Sequence, residues 1–432
     1  MEVVGLERVP PAGPLIVAAN HQQGLMDGIL LAAALPRRLR LIVKAPLFRY
    51  PVIGQLARLS GAIPVYRRQD EGGVSVDNQA MFGAARRALE CGEALLIFPE
   101  GTSHARPALM PLRTGTARLL LGAAGERATT LLPVGLMFHE PGTFRVGSAL
   151  LLVGQPVAAG DLQALPPGES DTAVRQLTER LAGALQRLIV EARDRHTLEL
   201  VHAAEAIWRE EMPGTAREAQ DRAAWRQRAA RAHRFLAETE PSRTAALRGR
   251  LQRYVKDLEL AGLTNRALSE TYGGLSVLRY TLREGLALLL GLPLALWGVV
   301  NHVAPYQATA LVVRTLKPEP DVLATYKVAV GLVFFPLCWA LEAWAAWRLG
   351  RGWLGVNWLL WVFLVSLLPT GFFALSWTER LERVRRETRG FLAVLVDRDL
   401  RGHLLGRRRG IMTEFQDLLR LVPSPYLDGS PQ

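Results

Sequence analysis

Three apolar stretches late in the chain constrain it most: Gly285–Val313, Val328–Trp347 and Gly352–Thr378. The first and third carry no charged residue, and the second carries only Glu342. A helix of about 20 apolar residues crosses a bilayer core. Inside that core a chain must satisfy its own backbone, which only a helix or a closed barrel does. The second and third stretches qualify on length. Pro293, Asn301, His302 and Pro305 interrupt the first, which is expected either to span or to break near Pro293 and re-enter. Arg380, Arg383, Arg385, Arg386 and Arg389 follow the third. Three crossings would separate these arginines from the N-terminal half. The positive-inside rule predicts both on the cytoplasmic face, and so two full spans with the first stretch re-entrant or in-plane. Glu342 is expected to pair with Arg348 at the interface, and His302 to be a satisfied interfacial histidine.

The N-terminal half reads differently. Short apolar runs at Leu15–Ala19, Leu39–Val43, Ala62–Tyr66, Ala94–Phe98, Leu131–Phe138 and Ala149–Val153 predict strands. Helical patterns at Asp27–Ala34, Asp77–Cys91 and Thr114–Leu121 lie between them. Continuous apolar strands alternating with helices predict an α/β layered domain with a largely parallel central sheet flanked by helices. In such sheets the chemistry gathers in loops at strand ends. The net charge of +12 suits an anionic partner such as a phospholipid surface or a phosphorylated substrate. Nucleic acid is disfavoured, because the basic residues show no aromatic interleaving and no zinc-ligand spacing. Cys91 and Cys338, the two cysteines, make no disulfide framework and fit a reducing compartment. Met1-Glu2-Val3-Val4 does not open as a signal peptide.

Four strand-end blocks carry the candidate chemistry. In Asn20-His21-Gln22-Gln23-Gly24-Leu25-Met26-Asp27, a carboxylate follows a histidine at a strand mouth. Such a pair builds a general base, the carboxylate fixing the ring's tautomer; alone, it is equally a loop and helix-cap pair. Gly61–Arg68 ends a strand in paired arginines, making Arg67 a phosphate clamp or a solvated edge residue. In Phe98-Pro99-Glu100-Gly101-Thr102-Ser103, a buried strand runs into a tight turn from which Glu100 projects beside amides and hydroxyls. In Leu131-Leu132-Pro133-Val134-Gly135-Leu136, Pro133 and Gly135 suggest a bulge or a close backbone approach to a ligand.

These blocks, in this order, resemble the glycerolipid acyltransferase family, the lysophosphatidate and glycerol-3-phosphate acyltransferase-like enzymes with a PlsC-type domain. Lys44-Ala45-Pro46-Leu47-Phe48, Leu112–Ala117 and Gly154-Gln155-Pro156 resemble its intermediate blocks. The resemblance covers roughly residues 4–156. It implies His21 as general base, Asp27 as its orienting partner and Arg67 as the ligand of the acceptor's phosphate. It also implies an acceptor site shaped by Glu100, Gly101 and Thr102, and an acyl-donor region at Pro133 and Gly135. It implies no metal and no cofactor; acyl-CoA or acyl carrier protein is a co-substrate. Five residues separate His21 from Asp27, one more than in the commonest family form. Neither spacing puts the pair on one face of a regular helix, so Gly24 is the expected turning point. Family members often carry a membrane-associated helix before the first strand. Here Met1 lies almost on that strand, so the helix is absent, its role is met elsewhere, or the start lies upstream.

The expected organisation is a catalytic domain at 1–165, a helical extension at 166–280, a membrane region at 281–378 and a basic amphipathic tail at 379–432. The extension either packs on the catalytic domain or lies on the membrane, and the tail is expected on anionic lipid. The expected function is transfer of an acyl group to glycerol 3-phosphate, dihydroxyacetone phosphate or 1-acylglycerol 3-phosphate, by an integral protein of the cytoplasmic membrane. The alternatives are a remodelling acyltransferase for another headgroup and a non-catalytic lipid-binding or transfer module.

Overall fold

The strand Leu15–Ala19 (β2) has no solvent-exposed residue, and the fold is layered around it. The computed structural model describes residues 1–49, 51–66, 78–123, 128–138, 149–163, 170–192, 194–212, 219–269, 274–349, 358–396 and 398–428. The other strands are β1 (Glu2–Val4), β3 (Leu39–Lys44), β4 (Ile63–Val65), β5 (Ala94–Ile97), β6 (Thr130–Phe138) and β7 (Ala149–Val153). Among the described residues they form one sheet in the order β1-β7-β6-β2-β5-β3-β4. Every pairing is parallel except β6–β7. Side chains alternate across the strands. Ile16, Ala18, Leu95 and Leu131 therefore pack against the helices on one face, and Leu15, Val17, Leu96 and Leu132 on the other.

The helices of this domain are α1 (Leu25–Ala34), α2 (Pro51–Leu59), α3 (Gln79–Glu90), α4 (Gly115–Gly122) and α5 (Gly160–Gln163). Leu31 of α1 seals one face; Ala85 and Leu89 of α3 and Leu119 and Leu120 of α4 seal the other. Parallel pairing has a direct consequence for function. Ala18 pairs with Ile97, Leu41 with Leu96 and Lys44 with Val65. The segments that follow β2, β3, β4 and β5 therefore emerge at one edge of the sheet.

The Pro–Gly block in β6 forms no bulge against β2, where the register runs unbroken from Thr130 to Val134. Pro133 pairs with Ala18 just before β6 begins to pair with β7, and its carbonyl accepts the Gly154 N–H at 2.8 Å. The missing proline N–H thus falls at the end of the β7 ladder. At Gly135, a Cβ would lie 2.5 Å from the Leu188 carbonyl oxygen, so the close approach is made by the chain after the next helix.

That helix, α6 (Ser170–Gln186), opens the extension; α7 (Arg195–Glu211), α8 (Ala219–Thr239), α9 (Pro241–Ala261) and α10 (Asn265–Ser269) continue it. The extension packs on the catalytic domain. Leu177 and Leu181 join the sheet core, Ala223 packs on Leu150 and Leu152, and Arg222 pairs with Glu2 at 2.5 Å.

Three long helices follow: α11 (Gly274–Leu316), α12 (Leu323–Leu349) and α13 (Trp358–Val396). Each contains a segment long and apolar enough to cross a membrane. α11 does not break at Pro293; it runs through Pro293 and Pro305. Small residues let it press against its neighbour. A Cβ at Gly298 would lie 2.1 Å from the Thr370 carbonyl oxygen, and one at Gly371 would strike the His302 ring. Packing through such residues is how apolar helices associate without a hydrophobic drive. His302 is satisfied within its helix, its Nδ1 lying 2.8 Å from the Gly298 carbonyl. The expected Glu342–Arg348 ion pair does not form, because six residues along a helix place the two on different faces. Arg348 instead lies over the Trp344 ring, 5.9 Å from its centroid.

The two final helices are α14 (Arg398–Leu419) and α15 (Ser424–Asp428). Leu404, Ile411 and Met412 of α14 pack with Trp208, Leu251 and Tyr254 of the extension. Arg407 pairs with Asp257, and Arg408 with Glu211 at 2.6 Å. One face of α14 is thus held by the extension. Gly135→Ala is expected to lower stability by about 1–3 kcal/mol through overpacking against Leu188. Gly160→Ala, where a Cβ meets open space, should leave it unchanged. Thermal unfolding of both variants checks the difference.

Candidate functional site

The edge where β2 and β5 end holds the site. Asn20 continues β2 with its side chain. Its Nδ2 donates to the Leu136 carbonyl at 3.0 Å, and its Oδ1 accepts the Leu136 N–H at 2.7 Å. This double tie to β6 fixes the point from which His21 leaves the sheet.

Gly24 adopts φ +55, in the region that L-residues with a Cβ avoid. The chain reverses there and brings Asp27, in the first turn of α1, back to His21. The Asp27 Oδ2 lies 2.9 Å from His21 Nδ1 and 2.8 Å from both the Gln22 and Gln23 amide nitrogens. The side chain is completely buried, and Oδ1 has no partner. Burial pushes the carboxyl's pKa up, against the pull of His21 and the two amides. Two amide donors already point at Oδ2, so this oxygen carries no proton. Nδ1 is therefore the donating N–H, and Nε2 is the ring nitrogen that Asp27 does not engage. The ring stacks on Phe98, with centroids 4.0 Å apart and planes 13° from parallel.

Glu100 ties the second loop to the first. Its Oε1 accepts the His21 N–H at 2.7 Å; its Oε2 accepts from His104 Nε2 at 2.5 Å and from the Met110 N–H at 2.7 Å. The His104 N–H in turn donates to the His21 carbonyl at 3.1 Å. The Arg106 N–H donates to His104 Nδ1 at 3.2 Å, so the proton sits on Nε2. The carboxylate of Glu100 is fully buried and engaged with protein donors. It holds the His21 loop. Gly101, at φ +75, closes the turn with its N–H on the Phe98 carbonyl at 3.0 Å.

A cavity of about 840 Å³ opens beside His21. Leu41, Val43, Met81, Phe82, Ile97 and Leu119 make its walls largely apolar, and Glu100, Gly101 and Thr102 lie along it. Lys44 and Arg113 also line it. The Arg113 guanidinium makes no hydrogen bond or ion pair with the described residues. Arg67 lies outside the described residues; Tyr66, immediately before it, lines the cavity. Pro133 and Gly135 do not line it. Asn20, His104 and Arg113 are functional candidates that pattern reading passed over. Only Asn20, abutting the histidine, carried a local signal.

The fold and site define an α/β domain with an oriented, water-shielded histidine facing an apolar chamber. Residues 1–137 match the family described as Acyltransferase. The chain is 24% identical to an uncharacterized acyltransferase of Schizosaccharomyces pombe, over 48% of this chain and 43% of that protein. It is 30% identical to glycerol-3-phosphate O-acyltransferase 2 of Saccharomyces cerevisiae, over 31% of this chain and 18% of that one. It is also 30% identical to human 1-acyl-sn-glycerol-3-phosphate acyltransferase alpha, over 28% and 42%. The chain thus spans less than half the length of these relatives. Its N-terminal part, residues 1–137, is similar to the Acyltransferase family and to these glycerolipid acyltransferases.

Asp27→Ala leaves two buried amides and a ring nitrogen without their acceptor. At about 1–3 kcal/mol for each unmet buried donor, it should destabilise the protein by more than His21→Ala does. Thermal unfolding of the two variants reads the difference.

Proposed function

We propose that this protein moves a fatty acyl group from an acyl thioester, of coenzyme A or acyl carrier protein, to a hydroxyl of a phosphorylated glycerol derivative. Glycerol 3-phosphate, dihydroxyacetone phosphate and 1-acylglycerol 3-phosphate are the candidate acceptors. The observation that carries the reading is His21 lining an apolar cavity with its Nδ1 held by Asp27, which leaves Nε2 as the nitrogen for proton transfer.

His21 Nε2 takes the hydroxyl proton as the acceptor oxygen attacks the thioester carbonyl. The new C–O bond forms and the carbonyl becomes an oxyanion. Collapse breaks the C–S bond, and the imidazolium returns the proton to the leaving thiolate. Asp27 steadies the imidazolium between these steps, and an apolar cavity strengthens that pairing. The cavity's apolar walls suit the acyl chain. The Arg113 guanidinium, with Lys44 and Arg67, suits the acceptor's phosphate. A lipid-transfer module has no use for an oriented base, and the His21–Asp27 pair favours turnover over it.

The apolar helices are read as holding this domain in a bilayer, with catalysis at the cytoplasmic face. α11 lies antiparallel to α13 over much of its length, with Tyr280 bonded to Glu387, Gly291 against Trp377 and Gly298 against Thr370, so the two helices take one tilt to the bilayer.

His21→Ala is expected to lower acyl transfer by about 10²–10⁴-fold. A panel of the three acceptors with labelled acyl-CoA and acyl carrier protein, in liposomes, checks this; a wild-type rate in the variant rejects His21 as base. Arg113→Ala should raise KM for a phosphorylated acceptor about tenfold, the loss of a charge-assisted bond, and leave KM for the donor unchanged. Equal rises in both constants would remove Arg113 from the phosphate site.

A further inference from the structure

The link between α11 and α12 reaches the catalytic loops. Asp321 in this link is only 4% exposed, and its Oδ2 accepts from Ser103 Oγ at 2.6 Å. One turn further, Thr325 Oγ1 accepts the Leu25 N–H at 3.2 Å. Leu25 is the first residue of α1, whose amide has no partner inside its own helix. No side chain at the N-cap Gly24 meets the helix end. Thr325 meets it from 300 residues away.

The contact is close enough to require the glycine. A Cβ on Gly24 would lie 3.1 Å from Thr325 Oγ1 and 3.3 Å from the Asp321 carbonyl oxygen. The hairpin tip therefore sits on bare backbone midway between His21 and Asp27. From there Val322, Thr325, Tyr326 and Ala329 line the cavity. Their spacing of three, four and seven residues places them on one face of α12.

We propose that the tip of the α11–α12 hairpin is a working part of the catalytic site, with Thr325 and Asp321 as positioning residues. Thr325 holds the loop that carries His21 and Asp27. Asp321, through Ser103, holds the loop that carries Glu100. The α12 face closes the cavity between them. The inference rests on the acyltransferase reading, and it gives the apolar region a role beyond anchoring.

The test uses the full chain in liposomes, with stearoyl-CoA and glycerol 3-phosphate or 1-acylglycerol 3-phosphate. Thr325→Val keeps the side-chain shape and removes the acceptor; Thr325→Ser restores it. We expect kcat to fall about tenfold in the valine variant, as a small displacement of reacting groups does. KM for the acceptor should stay within about twofold, and the serine variant should recover the rate. Hydrogen exchange of the peptide spanning residues 22–27 should rise in the valine variant and not in the serine one. Asp321→Ala should split kcat from KM in the same way and raise exchange at residues 100–104, so loss of fold in either variant leaves the other to decide.

Unchanged exchange in both variants overturns the clamp. Raised exchange with unchanged kcat overturns its part in catalysis. Failure of wild-type protein to acylate either acceptor, with exchange responding as expected, sinks the acyltransferase reading and the catalytic claim together, while the clamp itself stands.

Discussion

One oxygen atom organises the site. Asp27 Oδ2 receives the His21 ring and the amides of Gln22 and Gln23. Three donors on one buried oxygen convert a six-residue separation into a closed loop. Burial works against the charge, raising the carboxyl's pKa, while the three bonds favour the ionised form. The carboxylate therefore orders the backbone as well as the imidazole. This explains how a five-residue spacer is accommodated: the additional length is taken up by amides that bond the same oxygen. Gly24 at φ +55 supplies the reversal.

The second layer of order comes from strand adjacency. β2 and β5 are parallel neighbours, so the chain leaves both at the same edge, and Glu100 stitches the two exits together. Its three donors come from His21, His104 and Met110. A strand-end carboxylate invites a reading as substrate ligand. Complete burial and satisfied acceptors make it a brace here, because a group already bonded to three protein donors has little capacity left for a substrate. On the acyltransferase reading, Arg113 along the cavity suits an anionic acceptor.

Much of this was legible in the residues. β2, β5, β6 and β7 are continuous apolar runs because both sheet faces are covered, and such runs announce themselves. The strand Glu2–Val4 did not, being three residues long and only half-buried. The helix Pro51–Leu59 was hidden by Pro51 and Gly54; the glycine is there because a Cβ would lie 2.3 Å from the Phe48 carbonyl oxygen. Proline also left α11 open, a span or a break near Pro293 being equally expected there. There α13 supports the helix along its length, and tertiary packing overrode local propensity. Charge pattern likewise shows that Arg407 and Arg408 need partners, but not that Asp257 and Glu211 supply them.

The longest-range contact is the least readable and the most consequential. Nothing in Leu25 or Gly24 indicates that a threonine 300 residues on will cap the helix. Yet the arrangement follows from what an acyl chain requires. Moving each buried CH₂ into water costs about 0.8 kcal/mol, so a long chain drawn from lipid into an aqueous cleft would meet a large barrier. α12 presents Val322 and Ala329 to the cavity while Leu332, Val333, Leu337 and Leu341 face outward, exposed. On the acyltransferase reading, one helix thus bears apolar side chains both at the cavity and on a lipid-facing surface. The same helix holds the base in place through Thr325, which couples the chain's path to the geometry of the group that acts on it.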